Sequence, residues 1–235
     1  KARIVHVQRL ITRRGVPYAL EEWWFPSVIG KALVGPLTGR VTVEVDLALT
    51  CGIEVDETSG AALIRAGTLG PALEDELRPY GLTLRHFPQS FEFSTLGGWI
   101  ATRAGGHFAT GPTHIDDLVE SVRALTPTGV WESRRLPGSG AGPSPDRMLI
   151  GSEGILGVIT EAWVRVRPRP GHKASASVLF DDFRTAAEAV RAISRTALQP
   201  SNCRLLDPLE AATTGAGDGA HAVLILGFES PYAPV

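Results

Sequence analysis

Ser90-Phe91-Glu92-Phe93-Ser94-Thr95-Leu96-Gly97-Gly98-Trp99-Ile100-Ala101-Thr102-Arg103-Ala104-Gly105-Gly106 is the stretch whose reading decides the fold. It is dense in serine, threonine and glycine and poor in charge. Ser94 and Thr95 set two hydroxyls beside a Gly-Gly pair, and Thr102 and Arg103 precede a second pair. Glycine has no Cβ, so backbone N–H groups there can approach an anion or a flat ring closely. If residues 96–101 form a helical turn, its first amides face the Ser94–Thr95 side and suit a pyrophosphate. The alternative is a glycine-rich packing turn, and glycine spacing alone does not separate the two.

A second stretch has the same character: Gly151-Ser152-Glu153-Gly154-Ile155-Leu156-Gly157-Val158-Ile159-Thr160-Glu161. Glycines at 151, 154 and 157 precede a β-rich apolar run, so an adenine or isoalloxazine ring could lie against this backbone. A bulged strand is the competing reading.

Working outward, residues 1–20 carry apolar residues at Ile4, Val7, Leu10 and Ile11, which predicts a short amphipathic helix ended near Gly15 and Pro17. Trp23 and Trp24 fit core packing first, and a dimer or membrane-facing contact second. Val41, Val43 and Val45 alternate as in a strand, and Ile53 to Val55 with Ala62 to Gly67 reads as a hairpin about a Thr-Ser-Gly turn. Residues 71–80 read as a helix opened by Pro71 and closed by Gly81. Residues 116–123 start another element, and 122–132 a strand, turn and returning strand. Residues 137–145 are a Gly/Ser/Pro loop, and 155–166 a strand. Pro168, Pro170 and Gly171 mark a boundary, after which strands at 177–180, 203–206 and 222–228 and a helix at 183–196 give a βαβ-like order. The fold class is α+β.

A net charge of −2, from 23 basic and 25 acidic residues, leaves no basic surplus for phosphate neutralisation and argues against a nucleic-acid partner. There is no apolar run long enough to span a bilayer. Cys51 and Cys203 have neither disulfide-framework nor metal spacing and read as ordinary thiols of a reducing cytosol, so the expected location is cytoplasmic and no metal is expected.

Together, residues 88–106 and 151–161 resemble the FAD-binding signatures of the vanillyl-alcohol oxidase / p-cresol methylhydroxylase superfamily. Within it they are most similar to the alkyldihydroxyacetonephosphate (alkylglycerone-phosphate) synthases. Asp116-Asp117-Leu118-Val119, Thr126-Pro127-Thr128-Gly129 and Arg165-Val166-Arg167-Pro168 fit the same pattern. The resemblance implies a two-subdomain FAD-binding domain of the p-cresol methylhydroxylase type over residues 37–168, its first subdomain incomplete. Residues 1–36 form a helical or joined N-terminal segment, and 169–235 begin an α+β substrate-binding cap. It implies FAD as cofactor. Gln89, Ser90, Phe91, Glu92, Phe93, Ser94, Thr95, Gly98, Thr102, Arg103, Ala104 and Gly105 would line the pyrophosphate and ring. Glu153, Gly154, Leu156, Gly157, Val158 and Ile159 would hold the adenosine side. Arg204 is the catalytic candidate, facing substrate from the cap, with a surface or ion-paired arginine as the alternative.

The implied reaction exchanges acyl for alkyl on acyl-dihydroxyacetone phosphate, a step of ether-lipid synthesis. An FAD oxidase or dehydrogenase of a 2-hydroxy acid such as D-lactate is the alternative, and a flavin-less binding or structural role a third. A small-molecule or lipid-phosphate substrate follows, with a homodimer and peripheral membrane association as further expectations. Departures from the family are also visible. Its Pro-Phe-Gly-Gly-Gly-Thr-Ser loop, which grips the pyrophosphate, has no counterpart in residues 1–39, where residues 28–36 lack the triple glycine. Its His-rich motif has none either, since histidines 6, 86, 107, 114, 172 and 221 are isolated. The chain therefore reads as part of a longer protein, with junctions around residues 15–35 and 211–220. Where animal synthases place an acid, Gln89 stands, and an amide is no general base. A covalent flavin link is not expected; His107 is the one histidine placed for it.

Overall fold

A computed structural model describes residues 4–13, 16–26, 51–106, 114–126, 128–136 and 142–235. The chain opens on an antiparallel hairpin, β1 (Ile4–Arg13) and β2 (Val16–Pro26), where the spacing predicts a helix. Ile4, Val7, Leu10 and Ile11 have helical spacing, but Val5, Val7 and Ile11 share one strand face, and β-branched Ile4, Val5, Val7, Ile11 and Thr12 favour the pleated backbone. The register sets Val7 opposite Trp23, Arg9 opposite Glu21 and Leu10 opposite Leu20. The segment bearing Trp23 and Trp24 is thus the partner strand. The strand expected over Val41 to Val45 lies outside the described residues.

Five strands form the main sheet: β3 (Ile53–Asp56), β4 (Ala61–Arg65), β6 (Val119–Thr126), β7 (Gly129–Glu132) and β8 (Val158–Arg165), in the antiparallel order β3-β4-β8-β6-β7. Between β4 and β6 come α1 (Gly70–Leu77), the short strand β5 (Leu82–Thr83) and α2 (Leu96–Thr102). Pro71 sits in the first turn of α1, and Gly81, at φ +66°, stops the 3-10 turn that extends it. Period-2 alternation sends Ala62, Ile64, Val122, Ala124, Ala162 and Val164 into one core, where Leu73 and Leu77 of α1 and Leu96, Trp99 and Ile100 of α2 meet them. Each large side chain buried there contributes about 1.5–3 kcal/mol of transfer free energy. The opposite face carries a groove of about 590 Å³ floored by Leu63, Ser121, Arg123 and Trp163, with Arg135 stacked 4.2 Å above the Trp163 ring.

Residues 115–117 are a 3-10 turn leading into β6, and α3 (Asp146–Leu149) leads to β8, which starts at Val158 rather than Ile155. β9 (Arg167–Pro168) pairs with β5. Beyond it, β10 (His172–Phe180), α4 (Phe183–Ser194), β11 (Asn202–Leu206), α5 (Pro208–Thr213) and β12 (Ala222–Ser230) build a second sheet, ordered β10-β12-β11. Both neighbours pair antiparallel to β12, so β10-α4-β11 is a βαβ unit split by the last strand. Residues 211–220, read above as a junction, continue one local structure. α5 is capped by the Asp207 carboxylate accepting from the Glu210 amide at 2.9 Å, Ala211 is fully buried, and a Cβ on Gly217 would lie 2.9 Å from Val223. Arg85 bridges the two sheets' surroundings through an ion pair to Glu229 of β12 at 2.5 Å. Among the described residues no helix is long and apolar enough to cross a membrane.

Candidate functional site

The decisive stretch is held from several sides. Phe91 lies nearly parallel to the buried Trp99 ring at 6.0 Å, Phe87 packs on Phe91 at 5.0 Å, and His86 meets Trp99 edge-on at 5.3 Å. The Trp99 Nε1 donates to the Ser94 Oγ at 2.7 Å, and Ser94 in turn donates to the Ser90 carbonyl at 2.7 Å. An indole N–H finds a partner when buried, and here the partner is a hydroxyl of the candidate site. A Cβ on Gly70 would lie 2.5 Å from the Phe91 carbonyl, so the start of α1 is pressed against this loop.

The hydroxyls divide into committed and available. Ser90 donates to Ser94, Ser94 to a carbonyl, and the Thr102 Oγ1 to the Gly98 carbonyl at 2.9 Å. Thr95 is the N-cap of α2. Its Oγ1 accepts from the Gly98 amide at 3.3 Å, which leaves its own proton for a ligand.

The expected use of the α2 N-terminus does not hold. The Leu96 amide donates to the Thr68 carbonyl at 3.1 Å, the Gly97 amide to the Ala66 carbonyl at 2.8 Å, and the Gly98 amide to Thr95. These donors are spent on β4's continuation and on the cap, so they are not aimed at a pyrophosphate. The two glycines differ accordingly. A Cβ on Gly97 would stand 2.7 Å from the Ala66 Cβ, so Gly97 is a packing glycine, whereas on Gly98 it would meet only Thr95 Oγ1 at 3.5 Å. Gly157 is also a packing glycine, its Cβ position 2.5 Å from the Leu125 carbonyl.

The two stretches are one structure. The Gly151 amide donates to the Ile100 carbonyl and the Glu153 amide to the Ala101 carbonyl, both at 2.9 Å. Arg103 (φ +53°) and Glu153 (φ +54°) occupy the left-handed region that non-glycine residues avoid, at a cost on the order of 1 kcal/mol each. Both lie at this junction, where held strain points to a functional constraint. Arg103 is fixed by the Asp116 carboxylate, Nη2 to Oδ2 at 2.9 Å, a bond that raises the Arg103 pKa. Burial opposes ionisation of Asp116, yet the Arg103 hydrogen bond and the Arg103 and Arg147 charges outweigh it and hold the carboxyl below its ordinary range.

Both stretches leave apolar side chains bare. Phe93 is 86% exposed and Ile155 82%, and Leu156 and Val158 are exposed as well. Gln89, Ser90, Glu92, Gly98, Thr102, Gly105, Glu153 and Gly154 are exposed too, while Phe91, Ser94, Thr95, Ala104, Gly157 and Ile159 are half-buried. Arg204 is elsewhere, on β11, where its guanidinium pairs with Glu210 at 2.7 Å. His107 lies outside the described residues. Asp116, which supports the junction, has no mark in the sequence beyond an acidic pair ahead of an apolar run.

Comparison with known families identifies a flavin-binding protein. Residues 27–133 match the FAD binding domain family and residues 169–233 the C-terminal domain of FAD linked oxidases. The chain belongs to the FAD-linked oxidases, and FAD is their cofactor. Within that family it is similar to alkyldihydroxyacetonephosphate synthases. It is 40% identical over 172 residues to the Dictyostelium discoideum synthase, covering 73% of this chain and 28% of that one. Against the Trypanosoma brucei brucei synthase it is 34% identical over 171 residues, covering 72% and 28%. A solved alkyldihydroxyacetonephosphate synthase superposes with a TM-score of 0.68 at 33% identity, over 79% of this chain and 37% of that one. The architecture is thus the α+β, p-cresol methylhydroxylase type of FAD-binding fold with a following cap.

Proposed function

We propose that the chain carries the cofactor-binding part of an FAD enzyme of the alkylglycerone-phosphate synthase type, which exchanges acyl for alkyl on acyl-dihydroxyacetone phosphate. It spans 28% of the length of the curated synthases it resembles, so the activity is a property of the larger protein class. The carrying observation is the fusion of the two stretches through the Gly151 and Glu153 amides, with Phe93 of the first and Ile155 of the second left bare.

FAD, when bound, supplies the reactive ring system. The chain's own residues would bind and orient it. Thr95 donates its free hydroxyl proton, Arg103 offers the outer edge of its guanidinium, and Phe93, Leu156 and Val158 cover apolar ring surface and exclude water. Residues 37–168 would form the FAD-binding domain and 169–235 the start of the cap, from which Arg204 would face substrate once released from Glu210. An acyl-bearing phosphate comes from a lipid surface, so a cytoplasmic location with peripheral membrane contact accompanies the proposal; a homodimer rests on the resemblance alone.

Gln89 favours a second reading, an FAD oxidase or dehydrogenase of a 2-hydroxy acid, because an amide takes no proton in the synthase manner. Anaerobic bleaching of the visible flavin band separates the two. Acyl-dihydroxyacetone phosphate alone should bleach the FAD-loaded full chain under the first reading, and D-lactate or D-2-hydroxyglutarate alone under the second. Protein that stays colourless with excess FAD refutes both.

A further inference from the structure

Asp116 is a buried charge that no flavin stretch contains. Its side chain is 3% exposed, and one oxygen, Oδ2, receives Arg103 Nε at 3.1 Å, Arg103 Nη2 at 2.9 Å and Arg147 Nη1 at 3.0 Å. The two arginines come from different parts of the chain. Arg103 closes α2 in the left-handed conformation, immediately after Thr102. Arg147 sits in α3, four residues ahead of Gly151. Both guanidiniums are more than half exposed, at 56% and 60%.

Two like charges brought onto one carboxylate leave a positive excess, and a buried carboxylate is tolerated only where its partners are well placed. Two partners meet that condition here, Arg103 from the first flavin stretch and Arg147 from the helix just ahead of the second. The backbone contacts at the junction point the same way. The Gly151 Cβ position lies 3.3 Å from the Arg103 Cβ, and the Gly151 amide bonds to the Ile100 carbonyl. Moving Arg103 would therefore move the turn that begins the second stretch. The Asp116 Oδ1 is buried with no hydrogen-bond partner, so the residue is not placed for its own solvation.

We propose, on the flavin-binding reading above, that Asp116 is a positioning residue for FAD. It pins Arg103 and Arg147 to one oxygen and so fixes residues 102–105 relative to residues 151–159. Arg147 thereby bears on cofactor affinity although it lies outside both stretches. The isosteric Asp116→Asn keeps the volume and removes the charge that holds both cations.

The test is FAD titration of the full chain by quenching of flavin fluorescence, with visible circular dichroism of the bound flavin, for wild type, Asp116→Asn, Arg147→Gln and the double variant. Losing one charge-assisted contact at the pin should weaken FAD by about tenfold in either single variant and alter the flavin dichroism. The double variant should be no weaker than Asp116→Asn, because both changes act through one carboxylate. Arg147→Lys, which keeps the charge, should restore part of the affinity. Arg147 is at the surface, so its variants report even if Asp116→Asn fails to fold. Variants that bind FAD within about twofold of wild type with unchanged dichroism, or losses that simply add, overturn the pin and leave the flavin reading standing. Wild-type chain that takes up no FAD overturns that reading, and the pin with it.

Discussion

Gly97 and Gly98 are adjacent, identical in sequence terms and opposite in expected behaviour. Alanine at 97 would place its Cβ 2.7 Å from the Ala66 Cβ and 3.0 Å from the Ala66 carbonyl, both on the rigid continuation of β4. The Gly97 amide already bonds to that carbonyl at 2.8 Å, so α2 can retreat only by stretching the bond. Overpacking of this kind costs about 1–3 kcal/mol. The helix preference of alanine over glycine returns about 1 kcal/mol. With backbone on the far side the upper range applies, and Gly97→Ala should lose about 1–2 kcal/mol, or roughly 3–6 °C in Tm for a chain of this size. Alanine at 98 meets only Thr95 Oγ1 at 3.5 Å, an ordinary contact, so Gly98→Ala should gain up to about 1 kcal/mol from helix preference. It also puts a methyl on an exposed position expected to face the flavin. Thermal unfolding and FAD titration of both variants, side by side, test the reasoning. Gly97→Ala should melt early, and Gly98→Ala should melt late yet bind FAD more weakly. A Gly97→Ala protein as stable as wild type would refute the packing argument. A Gly98→Ala protein with unchanged FAD affinity would remove Gly98 from the cofactor surface.

Glu74 is buried and accepts from Thr83 Oγ1 at 2.8 Å, from the Leu84 and Arg85 amides at 3.1 and 3.2 Å, and from Arg169 Nη1 at 3.0 Å. Truncation by Glu74→Ala strands these donors together and should cost about 3–5 kcal/mol in urea unfolding; a loss below about 1 kcal/mol would mean that water replaces the carboxylate. Asp56 is held at a pKa of about 2, chiefly by its hydrogen bond from Arg135 and then by Ser59. Its folded pKa lies below the unfolded value near 3.8, so its contribution is complete above pH 4 or so and is lost as pH falls towards about 2. Asp56→Asn should therefore flatten the acid limb of the unfolding midpoint between about pH 4 and pH 2 and leave neutral pH less stable; an unchanged limb would show that the other depressed carboxyls, Asp116, Asp182 and Asp218, govern it.

The hairpin of β3 and β4 and the helix α1 were legible because alternation, a turn glycine, Pro71 and Gly81 agree about them. The first hairpin was not. Ile4, Val7, Leu10 and Ile11 satisfy a helical period, and only pairing with residues 16–26 decides for strand. Pairing is a property of two segments, so one segment's spacing could not reveal it. The candidate site shows the same division. That Ser94 and Thr95 flank a glycine pair is written in the sequence. That Ser94 is spoken for by Trp99 while Thr95 keeps its proton depends on where an indole five residues away points. Asp116 is invisible for a related reason: burial turns an unremarkable acid into the shared partner of two arginines.

The same contacts bear on how the proposed cofactor surface is made. Backbone bonds from Gly151 and Glu153 to α2, and the left-handed turns at Arg103 and Glu153, are satisfied within the chain. The strain at those turns is therefore met during folding and is not drawn from cofactor binding. A surface already ordered loses less conformational freedom when a ligand docks, so affinity depends less on closing the two stretches together. On the proposed reading, what remains for FAD to order is side chains such as Phe93 and Ile155, which the fold leaves bare. Residues that shape the backbone junction should then alter stability and affinity together, whereas Phe93→Ala should lower affinity with little change in Tm.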